Sequence, residues 1–413
     1  MSRESPASSI ITRSYRVEVD GDGDVTLRLV EFPVDDLELV DGHLVGPHVE
    51  VRTRAVLVDV DANGGLVGRA ADPLALRDGA LCFDPRRGGI RTRENRRANG
   101  AFNALVWEAN AFGMVNAYVH TDRCAQYANR LLVELGAPVL PPVGVVVGAH
   151  FGSRLPGYGE GDGDRRSGEL RPFSGGHYRL STRTTGVPEP CRVSPTGEIH
   201  LGPSRYRKPF AGHTSYLRNA AHNPAIIYHE WGHHLCRHTA DFRCNADRRP
   251  RKQRNGKPGV EEGICDYFAA SLVGSGRPYG WYRADRGRRR DLDRLRPAVR
   301  EHGDAHAVGA AWAAAFWRCR ETLVDNGLLA SSADHDRVLI GALLRTGEVG
   351  TGPRSARRQR SAQRTDPSTM VTSYLEALAD AAGSSAVRIG HSVFAETALL
   401  DGAPTTTGTG APC

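Results

Sequence analysis

The sequence predicts an α+β protein from three observations. Apolar and polar residues alternate with period two through much of the first 95 positions, which is strand patterning. From Ala101 the apolar residues recur at three and four, which is helical. Residues 223–266 then open with Asn-Pro and carry His229 and His233 four positions apart, one helical turn. At 413 residues, with 40% hydrophobic and 24% charged content, the chain can bury a core in two or three domains.

Charge and cysteine usage narrow the class. The net charge is +7, but the basic residues are almost all arginine, with lysine only at Lys208, Lys252 and Lys257. Such a bias reads as codon usage and not as a nucleic-acid footprint, and no aromatic or groove-reading partners accompany the arginines. Residues 1–14 hold no apolar core of a signal peptide, and no stretch approaches the length of a membrane span. The expectation is a chain with no nucleic-acid or membrane partner, leaning to the cytoplasm. Eight cysteines lie scattered without a Cys-x-x-Cys pair, so neither a zinc ribbon nor a disulfide framework is expected, although Cys236 and Cys244 could bridge a short loop.

Taken in order, Ser14–Asp20 and Val25–Val30 alternate around the turn cluster Asp20-Gly-Asp-Gly-Asp24 and predict a hairpin. A longer strand is expected over Val49–Val60, ending at the turn Asp61–Gly65. These elements define a β-rich domain of unknown role over 1–95. One helix is expected over Ala101–Ala117. A second is expected to start at the cap pair Thr121-Asp122 and to stop at Gly136. Val143–Ala149 reads as a buried strand, and His177–Thr182 and Glu198–Leu201 as short strands. The loop Gly157–Gly168 gathers Glu160, Asp162 and Asp164; a solvated acidic loop is the expectation and a Ca2+ site its alternative. The basic runs Arg248–Arg254 and Pro353–Arg360 read as solvated loops. Residues 403–413 read as a disordered tail.

The chemistry concentrates between 223 and 266. Asn223 can cap the helix, and Pro224 at its first position sacrifices no hydrogen bond. His229-Glu-Trp-Gly-His233 places two imidazoles on one face with Glu230 beside them. Chance alone yields such a pentapeptide in about 3% of chains of this composition, so its context decides. Downstream, Glu262-Gly-Ile-Cys-Asp266 supplies a carboxylate and, one turn on, an aspartate. Two histidines and one glutamate form a three-ligand zinc set with an open position for water. Glu230 can accept the proton of the metal-activated water as it attacks a carbonyl and return it to the leaving amine. Asp266 can accept the outer N–H of a ligating histidine, His229 by preference. Glu261 competes for the ligand role but points about 100° away on a helix.

These two blocks resemble the H-E-x-x-H and E-G-x-x-D-x-x-A motifs of the glutamate-zincin metallopeptidases, nearest to the fungalysin branch of the thermolysin-like group. His306-Ala-Val-Gly-Ala-Ala-Trp312 is similar to a third fungalysin block. Asn116–Arg123, Val338–Leu344 and Val371–Ala379 resemble the family more weakly. The resemblance covers about residues 105–400. It implies a zinc endopeptidase acting on peptide or protein substrates, with His229, His233 and Glu262 as ligands, Glu230 as general base and Asp266 behind a ligating histidine. It implies His306 as a donor to the transition-state oxyanion.

The implied fold has two lobes meeting at the zinc cleft: a mixed αβ lobe over 96–240, ending in the motif helix, and a mainly helical lobe over 241–402. Peptide is expected to pair with an edge strand at His177–Thr182 or Glu198–Leu201. The 28-residue gap between His233 and Glu262 exceeds the minimal thermolysin spacing, and the first 95 residues are not expected to be the long propeptide of secreted fungalysins. A scaffold that keeps the metal-site fold without turnover is the alternative reading.

Overall fold

The computed structural model describes residues 9–53, 56–60, 66–70, 73–85, 99–148, 150–151, 171–172, 175–179, 194–202, 219–242, 259–279, 290–295, 305–349 and 367–399. The protein is mixed α+β, with sheets in the N-terminal part and helices later. It divides into two compact units. The first comprises Met1–Arg130, Val139–His234 and Tyr279–Ala284; the second comprises Leu131–Pro138, Leu235–Pro278 and Asp285–Cys413.

In the first unit, β1 (Ile10–Val19) and β2 (Val25–Val34) form the expected antiparallel hairpin. Asp20 Oδ1 accepts from the amides of Asp22 and Asp24 at 3.0 and 2.8 Å, closing the turn through its own side chain. Strands β3 (Glu38–Val40), β4 (His43–Val45) and β5 (Val49–Thr53) follow. Next come the paired β6 (Val56–Val60) and β7 (Leu66–Ala70), and then β8 (Ala80–Leu81), parallel to β1. The single strand expected over Val49–Val60 is therefore two: β5 and β6 belong to different sheets. The turn expected at 61–65 lies outside the described residues.

Helix α1 runs unbroken over Asn99–Glu134, where two helices were expected. Thr121 does not cap a new helix because it is buried in the middle of this one, and Asp122 accepts from Gln126 one turn on. The expected stop is right: Gly136 takes φ +70°, a left-handed terminator. Then come β9 (Val143–Val147), β10 (His150–Phe151), β11 (Arg171–Pro172), β12 (Gly176–Arg179) and β13 (Glu198–Leu201). Six strands make one sheet in the order β12-β13-β9-β5-β4-β3. The expected β-domain boundary at residue 95 does not hold, because β5 pairs in parallel with β9 along its whole length, Val49 with Val143 through Thr53 with Val147. Between its two candidates the sheet also chooses the edge. β13 is paired on both sides, with β12 and β9, while among the described residues no strand pairs with β12 opposite β13.

A 3₁₀ turn (Ala220–His222) leads into α2 (Pro224–His238), the motif helix, within which the two units divide after His234 and not at the expected 240. The second unit then holds α3 (Gly259–Val273), α4 (Ala305–Asp325), α5 (Ser332–Val349) and α6 (Pro367–Glu396), the last kinked at Gly383 with φ 74°. Its core is aromatic, with Trp312, Phe316, Tyr374 and Phe394 in edge and tilted contacts. A polar chain threads that core. Tyr267 donates to Asp336 Oδ1 at 2.5 Å, so its oxygen accepts from His335 Nδ1 at 2.7 Å, and His335 Nε2 in turn accepts from Tyr374 at 2.7 Å. The acidic loop 157–168, both basic runs and the tail 403–413 lie outside the described residues.

Three imidazoles are held neutral by this packing. Burial, aided by Arg123, pushes His120 down to about 3; burial pushes His222 down to about 4; burial, aided by Arg320, pushes His335 down to about 3. Because the folded values lie below that of an exposed histidine, acid loads protons onto the unfolded chain first, and stability falls as pH drops below about 6.5. The midpoint of urea unfolding is expected to fall steadily between about pH 7 and about pH 4.5, and His335→Gln to flatten that slope.

Candidate metal centre

Helix α2 begins as its sequence dictates. Asn223 Oδ1 accepts from the Ile226 amide at 3.3 Å, and the Asn223 carbonyl takes the Ile226 and Ile227 amides at 3.1 Å. Pro224 occupies the first helical position, where no amide is needed. Every residue from Pro224 to Cys236 is buried, not only the apolar Ile226, Ile227, Trp231 and Leu235. The polar ones therefore need partners. Tyr228 donates to His120 Nδ1 at 2.7 Å, and His120 Nε2 donates to the Tyr15 carbonyl at 2.9 Å, which ties α2 to α1 and β1. Asn116, one turn before His120 on α1, accepts from the Tyr15 amide and donates to the Ala221 carbonyl. The block Asn116–Arg123 is thus an anchor for the motif helix.

His229 and His233 stand one turn apart with ring centroids 5.1 Å apart, edge to face. One nitrogen from each and one carboxylate oxygen of Glu262 all lie within 4.8 Å of one another, and all three residues are buried. This group could hold a metal ion: two imidazoles and a carboxylate converge where no single helix could bring them. Glu261 is buried as well, yet is not a member of the group.

Glu230 is 4% exposed, and its Oε2 has no hydrogen-bond partner among the described residues. Its side chain lies across Gly176 of β12. A Cβ at Gly176 would stand 2.8 Å from both Cδ and Oε1 of Glu230, so only glycine leaves that path open.

Asp266 is fully buried, and its Oδ1 accepts from Arg290 Nη1 at 3.0 Å. Arg290 was not foreseen, since it ends a run of arginines that reads as surface charge. His306 begins α4 with its side chain 45% exposed, and its Nδ1 lies 2.9 Å from Glu262 Oε2. The residue expected at an oxyanion thus meets the carboxylate of the group directly. Glycines make this approach close. A Cβ on Gly263 would collide with Trp312 and stand 2.6 Å from the Gly309 carbonyl; one on Gly309 would stand 2.9 Å from Glu262 Cβ; one on Gly259 would run into Val308. The spacing of Gly259 and Gly263, one turn apart, was the available signal for this crossing.

Cys236 and Cys265 each stand three positions beyond a member of the group. The Cys265 thiol hydrogen-bonds to Cys236, and burial pushes it well up. Cys236 therefore has Cys265 as a thiol neighbour; Cys244, with which it could bridge a short loop, lies outside the described residues. Among the described residues no helix is long and apolar enough to cross a membrane.

Gly263→Ala is expected to lower the stability of the second unit by about 1–3 kcal/mol, because α3 and α4 must part to admit the methyl group; urea unfolding measures the loss.

No family model matches the chain, and no curated protein matches it.

Proposed function

We propose that the protein is a zinc-dependent metalloendopeptidase of the glutamate-zincin class, nearest to the fungalysins, with the two-lobed arrangement that this resemblance implies. The observation that carries the reading is the buried convergence of His229, His233 and Glu262 next to Glu230. The donor set fits zinc: two neutral imidazoles and a carboxylate suit it, and three protein ligands leave a position for water. When bound, zinc supplies Lewis acidity, polarising the scissile carbonyl and making its water a nucleophile near neutral pH.

The chain's own residues do the rest. Glu230 takes the proton from the attacking water on a carboxylate oxygen and delivers it to the leaving amine. Its Oε2, without a hydrogen-bond partner among the described residues, suits that task. Asp266, itself held by Arg290, orients a ligating histidine. His306 steadies Glu262 and donates toward the oxyanion.

The substrate's backbone adds to the open edge of β12. Gly175 turns its carbonyl toward β13, where it takes the Gly202 amide at 2.9 Å. By antiparallel alternation, Gly176 and Tyr178 therefore present their N–H and C=O groups outward. Gly176 is the residue that Glu230 crosses, so a peptide paired there passes beside the base.

Glu230→Gln is expected to retain stoichiometric zinc while losing at least about 100-fold in peptide cleavage, because the ligands stay and the base goes. Zinc analysis beside a fluorogenic peptide assay reads both. Glu262→Ala should release the metal and Glu261→Ala should retain it; the reverse pattern would show the third ligand to be misassigned. Full zinc occupancy with no chelator-sensitive cleavage across a peptide library would replace the enzyme by a metal-bearing scaffold.

A further inference from the structure

The edge strand β12 meets the motif helix at two successive positions of one strand face. Gly176 faces Glu230, and Tyr178 faces His234. Two residues along a strand advance about 6.7 Å and the four helical residues from Glu230 to His234 about 6 Å, so strand and helix keep step over this stretch. The second contact is a built one. Tyr178 is 5% exposed, and its hydroxyl lies 3.0 Å from His234 Nδ1. His234 Nε2 lies 2.9 Å from the Pro141 carbonyl, which only accepts. Nε2 therefore donates there. Tyr178 donates to the Thr196 carbonyl at 3.2 Å, so one hydroxyl joins Thr196 and His234.

Room for that hydroxyl is reserved by Gly197, at φ +116°, where any Cβ would collide with it. The Tyr178 ring stacks on His233 at 6.5 Å between centroids and meets His234 edge-on at 5.7 Å. His234 is thus anchored on one side to the segment that precedes β9 and on the other to the edge strand.

We infer that Tyr178 and His234 are a positioning pair that sets the open edge of β12 against Glu230, and with it the depth at which an extended peptide lies. The inference rests on the peptidase reading for its consequence, but not for the contact itself. The pair touches neither substrate nor metal. Its work is to hold the outward backbone groups of Gly176 and Tyr178 at one distance from the base, which a peptide feels as binding geometry.

The test compares Tyr178→Phe, His234→Ala and His234→Asn with the parent protein. Tyr178→Phe keeps the ring and loses the hydroxyl, His234→Ala removes the contact from the other side, and His234→Asn keeps a polar group close to the position of Nδ1. Hydrogen exchange read by mass spectrometry follows the β12 amides bonded to β13, and zinc content and steady-state kinetics on an eight-residue fluorogenic peptide, a length of about eight chosen to span the strand, complete the set. In Tyr178→Phe the ladder amides should exchange about tenfold faster and KM should rise about five- to tenfold, with kcat changed by less than about twofold and zinc retained. His234→Ala should reproduce the faster exchange, and His234→Asn should restore most of it.

Unchanged exchange in both Tyr178→Phe and His234→Ala would overturn the inference, as would a fall in kcat alone at constant KM. If one variant fails to fold, the other decides. A parent protein that cleaves nothing would end the peptidase reading, while the exchange measurement would still say whether the pair holds the strand.

Discussion

Between Pro224 and Cys236 the motif helix has no solvent face, and five of its buried side chains are polar: Tyr228, His229, Glu230, His233 and His234. A buried polar group without a partner costs about 1–3 kcal/mol, so a helix of this kind survives only where its surroundings were shaped to receive it. Much of the first unit reads as that reception. His120 meets Tyr228, Tyr178 and the Pro141 carbonyl meet His234, and Asn116 and Asn219 hold the 3₁₀ turn from which the helix starts. His229 and His233 reach the group that can hold a metal ion, and Glu230 keeps an oxygen without a partner among the described residues. The contacts of Tyr228 and His234 secure the helix in these surroundings.

The same economy appears around Glu262. Helices α3 and α4 meet through Gly259, Gly263 and Gly309, and the closeness of that crossing brings His306 to within 2.9 Å of the carboxylate. Larger residues at these positions would part the helices and leave Glu262 without its neighbour. On the opposite side of α3, Tyr267 begins the polar chain through His335 to Tyr374. One helix therefore carries a metal-ligand candidate on one face and a core-spanning hydrogen-bond chain on another. Buried networks of this kind favour a single arrangement because each member is satisfied in only one.

The proposed roles divide by how much they ask of geometry. Holding an ion asks for three donor atoms near one another, which the group meets. Hydrolysing a peptide asks in addition that a carbonyl be brought beside Glu230, and β12 is the element suited to do so. Gly176, whose missing side chain lets Glu230 cross, and Tyr178, whose hydroxyl lies 3.0 Å from His234 Nδ1, both lie on that strand.

The sequence by itself determined the local features: the hairpin at Asp20–Asp24, the capped start of α2 at Asn223-Pro224, and the one-turn spacing of His229 and His233. Each of these follows from interactions within a few residues, where side-chain period and cap chemistry suffice. Only the tertiary structure decided that β5 lies beside β9, some ninety residues on, and so that residues 38–53 share a sheet with β12 and β13. It alone decided that Thr121 lies inside one long helix, that among the described residues β12 and not β13 is the edge, and that Arg290 serves Asp266 although it reads as one arginine among several. Strand pairing, close glycine crossings and buried ion pairs join positions far apart in the chain, and local pattern carries no record of which distant residue will be the partner.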